Sequence, residues 1–331
     1  MKTQSADTHP DAERILIHLI HNAPMSKRFR LLQSLTQEAI CLHRQAWRAR
    51  NPHLREQEAA VQMVSSWYGP VLAAQVQEAL TQRADWHLHP PDVLTAMLPA
   101  LDACDEQNIF CYLGGSIASS LHGMQQMAQD IDLVLELNVI HLSALLPRLK
   151  QHYVFDETAL REAVAGRSIC SLIHLDTLLK VDLVMVKTAP LETALRPLIK
   201  AYQLDEHAWP VRVASASEMI LFKLARYQQD MLSRQDGMHD DAAWNDIVGM
   251  LKVQGPDLDL TLLEQWSRTL QVTERWQQAL TEAGVTDSSG RSPSGNALGK
   301  GHEMSDGGVL GRVQKTSREP GKDSTSYVHL S

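Results

Sequence analysis

Residues 112–136 read YLGGSIASSLHGMQQMAQDIDLVLE. An apolar run ends in two adjacent glycines and a serine, and a second apolar run opens with two aspartates one residue apart. Side chains alternate between faces along a strand. Asp130 and Asp132 therefore share one face, while Ile131, Leu133 and Leu135 turn to the other, toward a core. Two carboxylates side by side repel, and one keeps its proton unless a cation lies between them. A divalent ion resolves that conflict, and Mg²⁺ takes a few carboxylate oxygens together with waters and substrate phosphates. Gly114 and Gly115 lack Cβ atoms, so backbone can come close to a ligand there. They stand between a strand and the helical stretch SIASSLHG. Their N–H groups suit a triphosphate, and Ser116 adds a hydroxyl donor at the same end.

A third acid lies downstream. In LKVDLVMV (179–186) the apolar face is Leu179, Val181, Leu183 and Met185, and Asp182 shares the other face with Lys180. If the two strands are neighbours, three aspartates converge and two metal ions can be held for in-line phosphoryl displacement. Lys180 would then pair with Asp182 or meet a phosphate.

Outward from this centre the chain is predicted to alternate. Upstream, helical spacing runs over 11–22, 26–50 and 56–67 and again through Leu80, with breaks at Pro24, Asn51-Pro52 and Gly69-Pro70. WHLHPPD (86–92) is a connector, because paired prolines cannot sit inside a helix. Beyond it come a helix with Val93, Met97 and Leu101 on one side, strands at 109–113, 130–135, 169–175 and 178–186, and a helix through Leu142–Leu149. From about residue 190 the chain reads as mostly helical. Ser215 and Glu218 have the spacing of a capping box at the head of one helix. Residues 284–331 are rich in Gly, Ser and basic residues with few large apolar ones, and are expected to be disordered. The expected divisions are 1–90 helical, 91–200 the mixed-sheet core, 201–283 helical, and 284–331 tail. The fold class is α+β.

Composition narrows the function classes. The 331 residues carry a net charge of −8, which argues against a general nucleic-acid coat protein. Cys41, Cys104, Cys111 and Cys170 form no CxxC pair and read as buried small hydrophobes in a reducing compartment. The N-terminus shows no apolar signal region, and ILIHLI is too short to span a bilayer. A cytoplasmic protein without a membrane partner is expected.

The order G-G-S, D-I-D and K-V-D resembles the nucleotidyltransferase superfamily, with its DNA polymerase beta-like fold. YLGGSIASSLHG, IHLDTLLKVDLVMV, VASASEMILFKLARY, WNDIVGMLKVQG and the upstream RNPHLREQEAAVQMVSSWYG extend the likeness over roughly residues 27–283, toward bacterial members of that fold. The resemblance implies that Gly114, Gly115 and Ser116 hold the phosphates of a nucleoside triphosphate, ATP among the candidates. It implies that Asp130, Asp132 and Asp182 hold two Mg²⁺, and that Lys223 of the Lys223-Leu224 pair lies near the nucleotide. The implied activity is transfer of a nucleoside monophosphate to a hydroxyl of a protein, an RNA or a small molecule, with release of pyrophosphate. One departure stands out. Relatives commonly carry R-x-T-x-D before the aspartate pair, whereas this chain has Gln126, Ala128 and Gln129. That departure leaves a second expectation open, a nucleotide-binding protein on the same fold without turnover. A third is the toxin component of a toxin–antitoxin pair.

Other groups carry weaker signals. His87 and His89 lack a zinc-like partner and read as loop, and His18 and His21 as helix surface or partial core. Lys27, Arg28, Arg30, Arg44, Arg48, Arg50 and Arg55 make the first helices basic, as either a solvated face or a polyanion surface. Asp246 reads as a supporting acid or as the partner of a base on its own helix.

Overall fold

The structure is a computed structural model that describes residues 2–5, 7–83, 85–128, 130–186, 190–233 and 241–285. Four helices come first: α1 (Pro10–His21), α2 (Met25–Arg50), α3 (Glu56–Tyr68) and α4 (Pro70–Thr81). Then follow α5 (Val93–Glu106), β1 (Cys111–Leu113), α6 (Gly115–His122), β2 (Asp130–Leu135), α7 (Leu142–His152), β3 (Tyr153–Val154), α8 (Glu157–Gly166), β4 (Ile169–His174) and β5 (Lys180–Met185). The remainder is α9 (Pro190–Leu195), β6 (Lys200–Tyr202), β7 (Val211–Val213), α10 (Ala216–Ser233), α11 (Asp241–Gln254), α12 (Leu260–Thr269) and α13 (Thr273–Ala283). The tail expected over 284–331 lies outside the described residues, apart from Gly284 and Val285, which close α13.

The strands form one mixed sheet in the order β3-β4-β5-β2-β1-β7-β6. β2 runs parallel to β5, and β1 parallel to β7, while the other neighbours are antiparallel. Ile131, Leu133 and Leu135 of β2 are at most 2% exposed, as the alternation requires. Each such side chain contributes about 1.5–3 kcal/mol of burial. The architecture is the α+β arrangement read from the pattern of elements.

Three strands were not visible in the sequence. β3, β6 and β7 are two or three residues long, too short for alternation to show. β6 and β7 lie where the chain reads as helical, and β7 supplies the neighbour of β1.

The N-terminal helices pack against the core and the sheet edge. Phe29, Leu32 and Ile40 of α2 join the main core, while α3, α4 and Trp86 bury Val154, Ile173, Leu175 and Leu178. Trp86 Nε1 donates to the Leu175 carbonyl at 3.1 Å. Not all of the basic residues of α2 form a solvated face. Arg28 is buried and donates to the carbonyls of Ala23, Leu121 and His21, and Arg44 donates to those of His89 and Thr177. Cys104, Cys111 and Cys170 are buried and Cys41 half-buried, all as free thiols. No helix among the described residues is long and apolar enough to cross a membrane.

A buried ion pair ties α1 to α11. Lys252 Nζ lies 3.0 Å from Glu13 Oε1 and donates to the Lys2 carbonyl at 2.6 Å, with both side chains almost fully enclosed. Removing one partner strands a buried charge, so Glu13→Gln and Lys252→Met are each expected to cost about 3–5 kcal/mol in urea unfolding. The double variant Glu13→Leu, Lys252→Met should recover most of that loss.

Candidate active site

β1 ends at Leu113, and the chain turns at once into α6. Gly114 is extended there, and its N–H donates to the Asp132 carbonyl at 2.9 Å, closing the turn onto β2. Gly115 has φ +57, a backbone region that L side chains avoid. A Cβ added to it would lie 1.5 Å from Asp132 Oδ2. The space freed by this glycine is thus taken by the Asp132 carboxylate, which rests against the first residue of α6. The next residue, Ser116, has a buried Oγ without a hydrogen-bond partner in the protein.

The parallel pairing of β2 and β5 brings the acids together. Asp130 stands opposite Lys180, and Asp132 opposite Asp182. Strand alternation then puts Asp130, Asp132, Lys180 and Asp182 on one face. Lys180 Nζ lies 2.8 Å from Asp182 Oδ2 and 3.3 Å from Asp130 Oδ2. Asp182 is 7% exposed, and its Oδ1 is buried without a partner. Among the described residues Asp132 makes no ion pair.

The charges respond to this crowding. Burial, followed by the charges of Asp130 and Asp182, pushes the Asp132 carboxyl up to about 6, against the opposing pull of Lys180 and Lys223. Burial draws the Lys180 ammonium down. The hydrogen bond and charge of Asp182, with Asp130 behind it, outweigh burial and hold Lys180 above its ordinary value.

Lys223 of α10 donates to Asp246 Oδ2 at 2.8 Å, and Gln126 Nε2 donates to Asp246 Oδ1 at 2.9 Å. Asp246 therefore pairs with a base on another helix and anchors the segment preceding β2. The Gln126 amide serves that anchor. Ala128 is buried, with its N–H donating to Thr36 Oγ1 of α2, and Gln129 lies outside the described residues. The Ser215–Glu218 box is half formed. Glu218 N donates to Ser215 Oγ at 3.1 Å, but the Glu218 carboxyl receives the Tyr112 hydroxyl at 2.7 Å instead of reaching back.

One site neighbour carried no sequence signal. Tyr68, the last residue of α3, lies against the Lys180 backbone N–H. Burial pushes its phenol up to about 12, so it stays protonated. His87 and His89 belong to the connector, as read, and His87 Nδ1 lies 3.2 Å from Glu56 Oε2.

The donor set suits a hard divalent cation. Three carboxylates occupy one face, and one buried carboxylate oxygen has no partner. As the side chains stand, no group of three or more His, Cys, Asp or Glu among the described residues is closed up enough to hold a metal ion. The Lys180 ammonium lies between Asp130 and Asp182 instead.

No protein-family model and no curated protein matches the chain. Among solved structures it is similar to an antigenic nucleotidyltransferase-like protein from Paracoccidioides brasiliensis, at 16% identity and a TM-score of 0.34, over 56% of this chain and 92% of that one. It is similar to ANT(2'')-Ia in complex with adenylyl-2''-tobramycin, at 16% identity and a TM-score of 0.34, over 55% and 98%. It is also similar to the lincosamide antibiotic adenylyltransferase LnuA, at 11% identity and a TM-score of 0.30, over 48% and 96%. These are distant likenesses.

Proposed function

We propose that the chain transfers a nucleoside monophosphate from a nucleoside triphosphate to a hydroxyl acceptor. One observation carries this reading: three aspartates share a sheet face, one of them, Asp132, rests against the glycine-opened N-terminus of α6, and Ser116 Oγ of that helix and Asp182 Oδ1 of that face are buried without partners. The acceptor oxygen forms a new bond to the α-phosphorus, the α–β phosphoanhydride bond breaks, and pyrophosphate leaves.

The protein's part is mainly positioning and charge. Ser116 Oγ and the N–H groups at the head of α6 would bind phosphate oxygens. The Asp182 carboxylate would take the proton of the acceptor hydroxyl as the new bond forms. Lys223, held by Asp246, would place a positive charge beside the leaving pyrophosphate. Divalent metal held by Asp130, Asp132 and Asp182 would neutralise charge building on the transferred and leaving phosphates.

A test combines α-labelled ATP, GTP, CTP and UTP with RNA and protein from a bacterial lysate. The expected result is label on one acceptor class with matching pyrophosphate, lost in Asp130→Asn and Asp182→Asn. Nucleotide binding without transfer to any acceptor would favour the second reading, a nucleotide-binding protein without turnover. The observation behind that alternative is Gln126, whose amide is committed to Asp246 and brings no positive charge to the phosphates.

A further inference from the structure

Three carboxylates and one ammonium on a single sheet face leave two negative charges, the amount that one divalent ion neutralises. Lys180 is not a loose surface lysine. Its side chain is 20% exposed, and its ammonium contacts two of the three carboxylates, at 2.8 and 3.3 Å. Strand register enforces this. Lys180 stands opposite Asp130 and one step along the same face from Asp182, so both carboxylates are within reach of one ammonium. Asp132, by contrast, has no ion pair among the described residues, where Lys180 pairs with Asp130 and Asp182 only, and the second oxygen of Asp182 has no partner. The acids therefore divide into oxygens already met by Lys180 and oxygens still open to a cation.

We propose that Lys180 is a resident cation of this site, standing in for one of the two divalent ions that three converging aspartates would otherwise hold. The site then binds a single divalent ion, and Lys180 supplies the remaining positive charge. This rests on the nucleotidyl-transfer reading only in taking the acids as metal ligands. A lysine cannot bridge phosphate oxygens and carboxylates as a metal does, but it holds a fixed charge and needs no metal to keep Asp130 and Asp182 together.

Titration with Mn²⁺ alone, counting free ion by electron paramagnetic resonance, tests the proposal in the full chain. The expected count is one ion for the wild type, one for Lys180→Arg and two for Lys180→Met. Thermal melting gives a second readout. Lys180→Met should melt lower than wild type without metal and be raised further by Mn²⁺, because the unscreened acids then gain more from it. Two ions in the wild type, or one in Lys180→Met, would overturn the inference while leaving nucleotide transfer standing. No ion in any of the three proteins would overturn both this inference and the metal-dependent reading of the site. If Lys180→Met fails to fold, the wild-type and Lys180→Arg counts still decide, since two ions in either removes the proposal and one in both supports it.

Discussion

Asp132→Asn is expected to stabilise the protein while removing nucleotide transfer. In the folded chain the Asp132 carboxyl is raised to about 6 by burial and by the charges of Asp130 and Asp182. For an acid, a folded value above the ordinary 3.8 means that folding penalises the charged form. The penalty is absent below about pH 4, grows between about pH 4 and 6, and is complete above that. Its size at neutral pH is about 3 kcal/mol, which asparagine would remove without changing the shape of the side chain. For a chain of this size that corresponds to a melting temperature higher by about 4–5 °C. Calorimetry at pH 7.5 and pH 4 checks it. The variant should melt well above wild type at pH 7.5, and the gap should close at pH 4. The transfer rate should fall by about 10²–10³-fold, as when one preorganised electrostatic group is lost. A variant that melts no higher at pH 7.5 would show that the charge on Asp132 is compensated in solution.

Gly115→Ala should nearly abolish transfer, and Gly114→Ala should do far less, although the two glycines are adjacent. At Gly115 a methyl group would overlap the Asp132 carboxylate at 1.5 Å, and φ is +57. The backbone strain alone costs about 1–2 kcal/mol. The larger effect is displacement of the carboxylate, since a misplacement of about 1 Å at a reacting centre can cost about 10²-fold in rate. At Gly114 the backbone is extended, and the methyl would press on the Cγ2 of Val134 at 2.8 Å, so Val134 rather than one of the carboxylates would have to give. Steady-state transfer rates, with melting curves as the folding control, separate the two. Equal losses would show that ligand approach to the backbone matters more than the placement of Asp132.

Much of this site was legible before folding was considered. The alternation of Asp130, Ile131, Asp132 and Leu133 sets which groups face the core, and β2 begins and ends where that alternation does. Pro24, Pro52 and Gly69-Pro70 break the helical patterns near where the first helices stop. Short elements were not legible. Three residues of β7 show no period, yet they pair with β1 and extend the sheet past it. Composition alone does not place the polar residues. Arg28 and Arg44 read as surface because arginine usually is. Both turn inward because carbonyls of other segments need donors there.

Local sequence alone determined that three aspartates would each stand on the polar side of a strand or its edge, and that a glycine pair would open a helix. Periodicity is a property of neighbouring residues, so it can be read from them. Only the tertiary structure decided that β2 lies beside β5 in parallel, with Asp132 opposite Asp182, because strand pairing is a contact between residues far apart in the chain. The same holds for the reach of the Lys180 ammonium across to Asp130, for Asp246 joining Lys223 to Gln126, and for Tyr68 arriving from α3. Those juxtapositions set the charge balance of the site, and no local pattern encodes them.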